Sequence, residues 1–277
     1  MTVVRSEQVS HGWTTAGGLR LHHLRWEGPV GGPGPDDARP IVCLHGVCGQ
    51  AWAWNGAAPL LAVRAPVHAI DMRGHGGSSW APDGDYSTAT MAADIASAID
   101  DLGLGPVDLV GLSWGGLVGA TLAASRPDLV HRLVMIDVPP VFGQAVDDVP
   151  PRPGSFATLD EVIAFEAAAN AHAPADQVAV LASGSVRPGA AGLERCHDPY
   201  FLGEWPFRGE DHWPAVRGVT CPALLVRAEN SFVLSEELAV AEADALGAAL
   251  VEIGPSGHLV PVDQPVLFAD AVLAFLA

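Results

Sequence analysis

From residue 41 onward the chain alternates short, nearly continuous apolar runs with longer segments whose apolar positions recur every three or four residues. The runs Ile41 to Leu44, Val67 to Ile70, Val107 to Val110, Leu133 to Ile136, Ala223 to Val226 and Ala249 to Ile253 predict strands. Their apolar residues sit at successive rather than alternate positions, the pattern of strands covered on both faces. Helical spacing fits Thr88 to Leu102, Trp114 to Arg126, Ser235 to Leu246 and Val262 to Leu276. Ahead of these, Val9 to Thr14 and Leu19 to Arg25 flank Gly17-Gly18 and predict an antiparallel hairpin, followed by a Gly/Pro loop from Gly28 to Arg39. The expected fold class is α/β, a mostly parallel eight-stranded sheet flanked by helices.

One interval breaks the rhythm. Between Val138 and Thr220 no strand is evident; a proline-rich entry leads to a helical Leu159 to His172, a second helix around Asp176 to Ser183, and an aromatic stretch from Tyr200 to Trp213. Such an insertion, following the strand that ends at Asp137, would sit above the strand ends, where ligands bind in open α/β sheets. The expected division is a core of residues 1–137 and 221–277 and a helical cap of residues 138–220.

With 277 residues the chain can bury a full core. Acidic residues outnumber basic ones 32 to 14, a formal charge of −18, and every basic residue is arginine. Nucleic acid and anionic membranes are therefore disfavoured partners, and without lysine neither Schiff-base chemistry nor a P-loop is open. Cys43, Cys48, Cys196 and Cys221 form neither a C-x-x-C pair nor a disulfide scaffold; reduced thiols are expected, with Cys48 as small buried filler. Met1 to Ser10 lacks the apolar segment of a signal peptide, and no stretch is apolar enough to span a membrane. A soluble cytoplasmic protein is expected, a monomer or homodimer, with a small-molecule substrate, no cofactor and no metal.

The chemistry concentrates at Gly111-Leu112-Ser113-Trp114-Gly115, a serine between two glycines where a predicted strand meets a predicted helix. Glycine-sized neighbours let strand and helix approach while the serine projects from the bend. A serine hydroxyl needs a base, and His258 in Gly254-Pro255-Ser256-Gly257-His258 follows the last strand. Two N–H donors are needed for a developing oxyanion: the Trp114 amide, and the Val47 amide in the turn Leu44-His45-Gly46-Val47-Cys48-Gly49. His45 is expected to be a structural hydrogen-bonder.

With these motifs in this order, joined by Asp71-Met72-Arg73-Gly74-His75-Gly76-Gly77-Ser78, the chain resembles the α/β-hydrolase fold superfamily from about Val9 onward. The resemblance implies the Ser113/His258 pair, a structural role for Asp71 and Arg73, and a helical cap where the insertion lies. It also exposes a departure: Phe232 occupies the position at which most relatives carry the acid of the triad. Asp137, at the end of the preceding strand, is the leading replacement, as in certain haloalkane dehalogenases and lipases of the superfamily, and Glu229 is the alternative acid. Asp263 and Asp270 follow His258 too closely. Dehalogenases and epoxide hydrolases use an aspartate nucleophile, which Ser113 argues against here. Trp52, Trp54, Trp114, Trp205, Phe207 and Trp213 are candidates to line the pocket.

The expected function is a serine hydrolase cleaving a carboxylic ester, lactone or thioester of an apolar small molecule through an acyl-enzyme. A second reading keeps the residues and changes the reaction to carbon–carbon bond hydrolysis or a lyase or cyclase step. A third, motivated by Phe232, is a ligand-binding module on a hydrolase scaffold.

Overall fold

The computed structural model describes residues 9–28, 38–142, 152–190 and 192–277. The hairpin forms as expected from β1 (Val9–Ala16) and β2 (Leu19–Trp26). Then come β3 (Ile41–Leu44), a short α1 (Ala58–Leu61), β4 (Val67–Ile70), α2 (Thr88–Asp101), β5 (Val107–Leu112), α3 (Trp114–Ser125) and β6 (Val130–Ile136). After the insertion follow β10 (Ala223–Ala228), α7 (Glu236–Leu246), β11 (Ala249–Ile253), α8 (Val260–Asp263) and α9 (Pro265–Leu276). The eight strands lie in the order β1-β2-β4-β3-β5-β6-β10-β11, and β4 through β11 run parallel.

The apolar runs divide their side chains between the two faces, because successive residues of a strand point oppositely. Leu44, Leu109, Leu133 and Leu225 join Ile95, Leu117 and Ala239 from α2, α3 and α7 on one side. Cys43, Val110, Val134 and Val226 join Leu61 of α1 and Phe268 and Val272 of α9 on the other. Both faces are thereby covered, which accounts for the absence of period-two alternation.

The structure corrects the sequence reading at two places. The final helix is two, α8 and α9, because Pro265 cannot donate to a continuing helix and instead starts the second one. Within the insertion, a three-stranded antiparallel sheet accompanies the expected helices: β7 (Ser155–Phe156), β8 (Val186–Gly189) and β9 (Gly192–Arg195), ordered β7-β9-β8. The helices are α4 (Leu159–Ala169), α5 (Ala175–Gly184) and α6 (Trp213–Gly218), and the aromatic stretch folds as single 3₁₀ turns at Pro199–Leu202 and Pro206–Gly209. Thr158 caps α4 by accepting from the Glu161 N–H. Among the described residues no helix is long and apolar enough to cross a membrane.

Candidate active site

Register builds the site. Leu44 pairs with Gly111, Leu112 with Ile136, and Val226 with Ile136, so β3, β5 and β6 end close to one level and β10 runs two residues further. The residues just past these ends are His45, Ser113, Asp137 and the loop from Glu229. Ser113 N–H donates to Ile136 O at 2.8 Å, and Asp137 N–H to Val226 O at 2.8 Å, fixing both residues at the sheet rim.

Ser113 has φ 53°, a left-handed conformation that a non-glycine residue holds only when its surroundings impose it. Close packing does so here. A Cβ on Gly111 would lie 2.3 Å from Gly115 O, and one on Gly115 would lie 2.5 Å from Leu44 O, so helix α3 sits directly on the strands that frame the bend. The Ser113 hydroxyl makes no hydrogen bond to another described residue and lines a cavity of about 110 Å³.

His258 lines the same cavity. Its Nδ1 donates to Asp137 Oδ2 at 2.8 Å, which leaves Nε2 as the acceptor of the neutral ring. Asp137 is 0% exposed and sits at φ 49°. Its other acceptor sites are filled by Ala228 N–H on Oδ1 (3.0 Å) and the Ser231 hydroxyl on Oδ2 (2.9 Å). Glu229, the alternative acid, is exposed, packs beside Gly254 and makes no hydrogen bond to His258. Phe232 is 65% exposed, with its ring edge-on to His258 at 5.4 Å. Asp263 instead braces the histidine loop, accepting from Gly257 N–H at 2.7 Å.

The turn after β3 is shaped by two histidines. His45 accepts from Met72 N–H at Nε2 (3.0 Å) and donates from Nδ1 to Gly46 O (2.7 Å), so both nitrogens are occupied and the expected structural role is what the geometry displays. His75 donates from Nδ1 to Arg73 O (2.9 Å) and accepts Cys48 N–H at Nε2 (3.2 Å). Burial depresses the basicity of both rings, that of His75 strongly, which keeps them neutral in these roles. With Cys48 N–H so engaged and Gly49 N–H closing on Gly46 O (3.0 Å), Val47 N–H is left without a partner among the described residues. Trp114 opens α3, so its N–H is one of the unpaired first donors of the helix. The Cys48 thiol is pushed up to about 11 by burial, and stays protonated. Asp71 accepts Ala51 N–H (2.6 Å), Gly77 N–H (2.8 Å) and His22 Nδ1 (2.7 Å), while Arg73 forks onto Asp94.

Of the aromatic candidates, Trp205 and Phe207 line the cavity. The Trp114 indole does not; it is buried behind the turn with Nε1 donating to Thr88 Oγ1 at 2.9 Å. Trp54 packs in the core against Phe268, Trp52 lies edge-on to His11, and Trp213 carries Arg217 over its ring, all outside the lining. Sequence reasoning missed Phe142, Arg152, Glu166 and Ser185 in the wall, and Ser231 and His75 behind it. No spacing signal marks Phe142, Arg152, Glu166, Ser185 or Ser231, which meet the site only through the fold; His75 lies within the Asp71–Ser78 motif, which could have pointed to it.

The sheet order, the strained serine turn and the histidine loop together define a hydrolase scaffold, and this chain belongs to the α/β-hydrolase fold family. A family profile described as alpha/beta hydrolase fold matches residues 39–174. An esterase of Mycobacterium tuberculosis is 31% identical over 273 residues, covering 91% of this chain and 85% of that protein. The 2-(acetamidomethylene)succinate hydrolase of Mesorhizobium japonicum is 31% identical over 245 residues, 85% of this chain and 87% of the relative. A crystal structure of E-2-(acetamidomethylene)succinate hydrolase superposes with a TM-score of 0.86 at 28% identity, over 97% of this chain and 99% of that one.

Proposed function

We propose that this chain is a serine hydrolase that cleaves a carboxylic ester, lactone or thioester of a small molecule through an acyl-enzyme. The observation that carries the reading is the His258–Asp137 hydrogen bond beside a serine on a strained turn, with two unpartnered amides next to the same cavity. Ser113 Oγ attacks the carbonyl while His258 Nε2 takes its proton. The Val47 and Trp114 N–H groups receive the negative charge on the carbonyl oxygen. His258 then protonates the leaving group, and water, activated by the same ring, releases the acid. Asp137 holds the ring in the tautomer that can accept at Nε2 and stabilises the imidazolium.

The described residues of the 138–220 insertion act as a cap in this reading, supplying Phe142, Leu181, Trp205 and Phe207 to the largely apolar wall; residues 143–151 and 191 of that insertion lie outside the described residues. A cavity of about 110 Å³ is small beside the several hundred Å³ of pockets that enclose drug-sized ligands, and favours a short acyl group. The names of the two relatives described above, an esterase and a hydrolase, support the hydrolytic reading. With Asp137 bonded to His258, a binding-only role loses its motive, the missing acid.

The test is labelling with a fluorophosphonate probe, with the adduct located by mass spectrometry. The expected result is an adduct on Ser113 that is lost in His258→Ala. A folded protein that takes no label, or is labelled elsewhere, refutes the acyl-enzyme.

A further inference from the structure

The cavity that holds Ser113 and His258 has one wall that does not fit an apolar ligand. Glu166 of α4, Ser185 and Arg152 line it. Behind them lies Arg195, 4% exposed, whose Nη1 donates to Glu166 Oε1 (2.7 Å) and Ser185 Oγ (3.1 Å) and whose Nε donates to Pro153 O (3.3 Å). Its Nη2 is buried with no hydrogen-bond partner. The guanidinium carbon lies 4.8 and 5.0 Å from the ring centres of Phe156 and Phe165, which meet each other edge-on at 5.8 Å. Arg152 makes no hydrogen bond to another described residue; its Nη1 stands 4.0 Å from Glu166 Oε1, and its head lies over Phe165.

Among the described residues, two guanidinium groups and one carboxylate leave this wall a surplus of one positive charge. Charge drawn away from water is expensive unless it is compensated, and an anion in the cavity would compensate this wall through Arg152, whose side chain stays 28% exposed. The surplus is out of character for a chain of formal charge −18 with 14 basic residues. Val47 and Cys48 line the same cavity as Arg152 and Glu166, and the charges of Arg152 and Arg195 act on the Cys48 thiol against the rise that burial imposes. The positive wall therefore flanks the turn that carries the candidate oxyanion donor.

We propose that Arg152, steadied with Arg195 by Glu166, forms a subsite for a carboxylate on the substrate, so that the molecule cleaved is a short acid bearing its ester, lactone or thioester a few atoms from a free carboxylate. This rests on the hydrolase reading and names the substrate class for that same site. A single surplus charge matches a carboxylate rather than a doubly charged phosphate, and a guanidinium fork meets a carboxylate through two parallel N–H donors. The rest of the lining, Phe142, Leu181, Trp205 and Phe207, then covers the chain between the two ends.

The test measures binding and turnover separately on the whole protein. Calorimetry with glutarate and with its neutral near-isostere glutaramide is expected to give at least a tenfold preference for glutarate, erased in Arg152→Gln and partly kept in Arg152→Lys, which retains charge without the fork. Monomethyl glutarate is expected to exceed methyl glutaramate at least tenfold in kcat/KM, and Arg152→Gln to bring that ratio close to one. Equal affinity for glutarate and glutaramide, a preference unchanged in a folded Arg152→Gln, or inorganic phosphate competing as well as glutarate each overturns the subsite. Because the binding arm needs no chemistry, a glutarate preference without a Ser113 adduct would retain the subsite and reject the nucleophile. An adduct without the preference would do the reverse.

Discussion

Asp137→Asn is the substitution on which the site's logic turns. The carboxylate accepts three hydrogen bonds: Ala228 N–H on Oδ1, and Ser231 Oγ and His258 Nδ1 on Oδ2. An asparagine has one accepting oxygen. If that oxygen takes Ala228 N–H, the amide NH₂ faces His258, Nδ1 must accept, and the ring proton moves to Nε2, where the ring can no longer take the Ser113 proton. If the amide is reversed, two donors meet at the buried Ala228 position, a conflict of about 1–3 kcal/mol. The first arrangement is favoured, and the wrong tautomer in a serine triad lowers turnover about 10⁴-fold. At about 1.36 kcal/mol per decade this is about 5.4 kcal/mol of lost transition-state stabilisation. The assay is the initial rate on p-nitrophenyl acetate, with kcat and KM resolved and folding checked by circular dichroism. Glu229→Gln, run alongside, is expected to stay within a few-fold of wild type. A folded Asp137→Asn that retains more than a tenth of wild-type kcat refutes the assignment of Asp137.

Gly115→Ala places a methyl group 2.5 Å from Leu44 O and 2.6 Å from His45 O, both backbone atoms, so overpacking of about 1–3 kcal/mol and a fall of several degrees in Tm are expected; unchanged thermal unfolding and activity would refute the close-approach argument. His75→Ala removes the acceptor of Cys48 N–H and loosens the turn carrying Val47, and kcat is expected to fall about tenfold with KM little changed, less than the 10²–10³ of losing an oxyanion donor outright. Equal kcat in that variant would show that the turn holds its shape without the ring. His23 and His68, whose tilted rings lie 5.2 Å apart, are each pushed down to about 4 by burial first, then by the charges of neighbouring His and Arg25. The unfolded chain takes up their protons below its ordinary value of 6.5 while the folded chain does so only below about 4, so stability is complete above pH 6.5 and is lost as pH falls from 6.5 toward 4. Thermal scans at pH 7 and pH 5 test this, and a Tm that does not fall, or a fall that is not lessened in His68→Gln, refutes it.

Much of the sheet was legible because its signal is one-dimensional. A strand buried on both faces must be apolar throughout, and Ile41 to Leu44 or Ala223 to Val226 can be read without knowing their neighbours. The serine turn was legible for a related reason: Gly111 and Gly115 are required by contacts between adjoining strand and helix, which sequence spacing records. The small sheet of the insertion was not. Val186–Gly189 and Gly192–Arg195 contain Pro188, Gly189 and Gly192, show no alternation, and exist as strands because they pair with each other and with Ser155–Phe156. Side-chain direction was equally hidden: Trp114, adjacent to Ser113 in sequence, turns its indole away toward Thr88. Arg152, Glu166 and Arg195, spread over 44 positions, meet only because α4 and β9 fold against one another.

The position of the acid has an evolutionary consequence. With Asp137 directly after β6, the loop after β10 keeps one hydrogen bond to the His258–Asp137 pair, from the Ser231 hydroxyl, and Phe232 beside it, edge-on to His258, stands exposed at the rim of the cavity. In an enzyme whose acid sits on that loop, any change at its tip risks the chemistry. On the assignment proposed above, the tip can drift, lengthen or exchange its aromatic ring while half-buried His258 keeps its hydrogen bond to buried Asp137, so the entrance is free to adapt to new substrates ahead of the proposed catalytic residues. Random substitution at positions 232 and 233 is accordingly a direct route to altered selectivity in the laboratory.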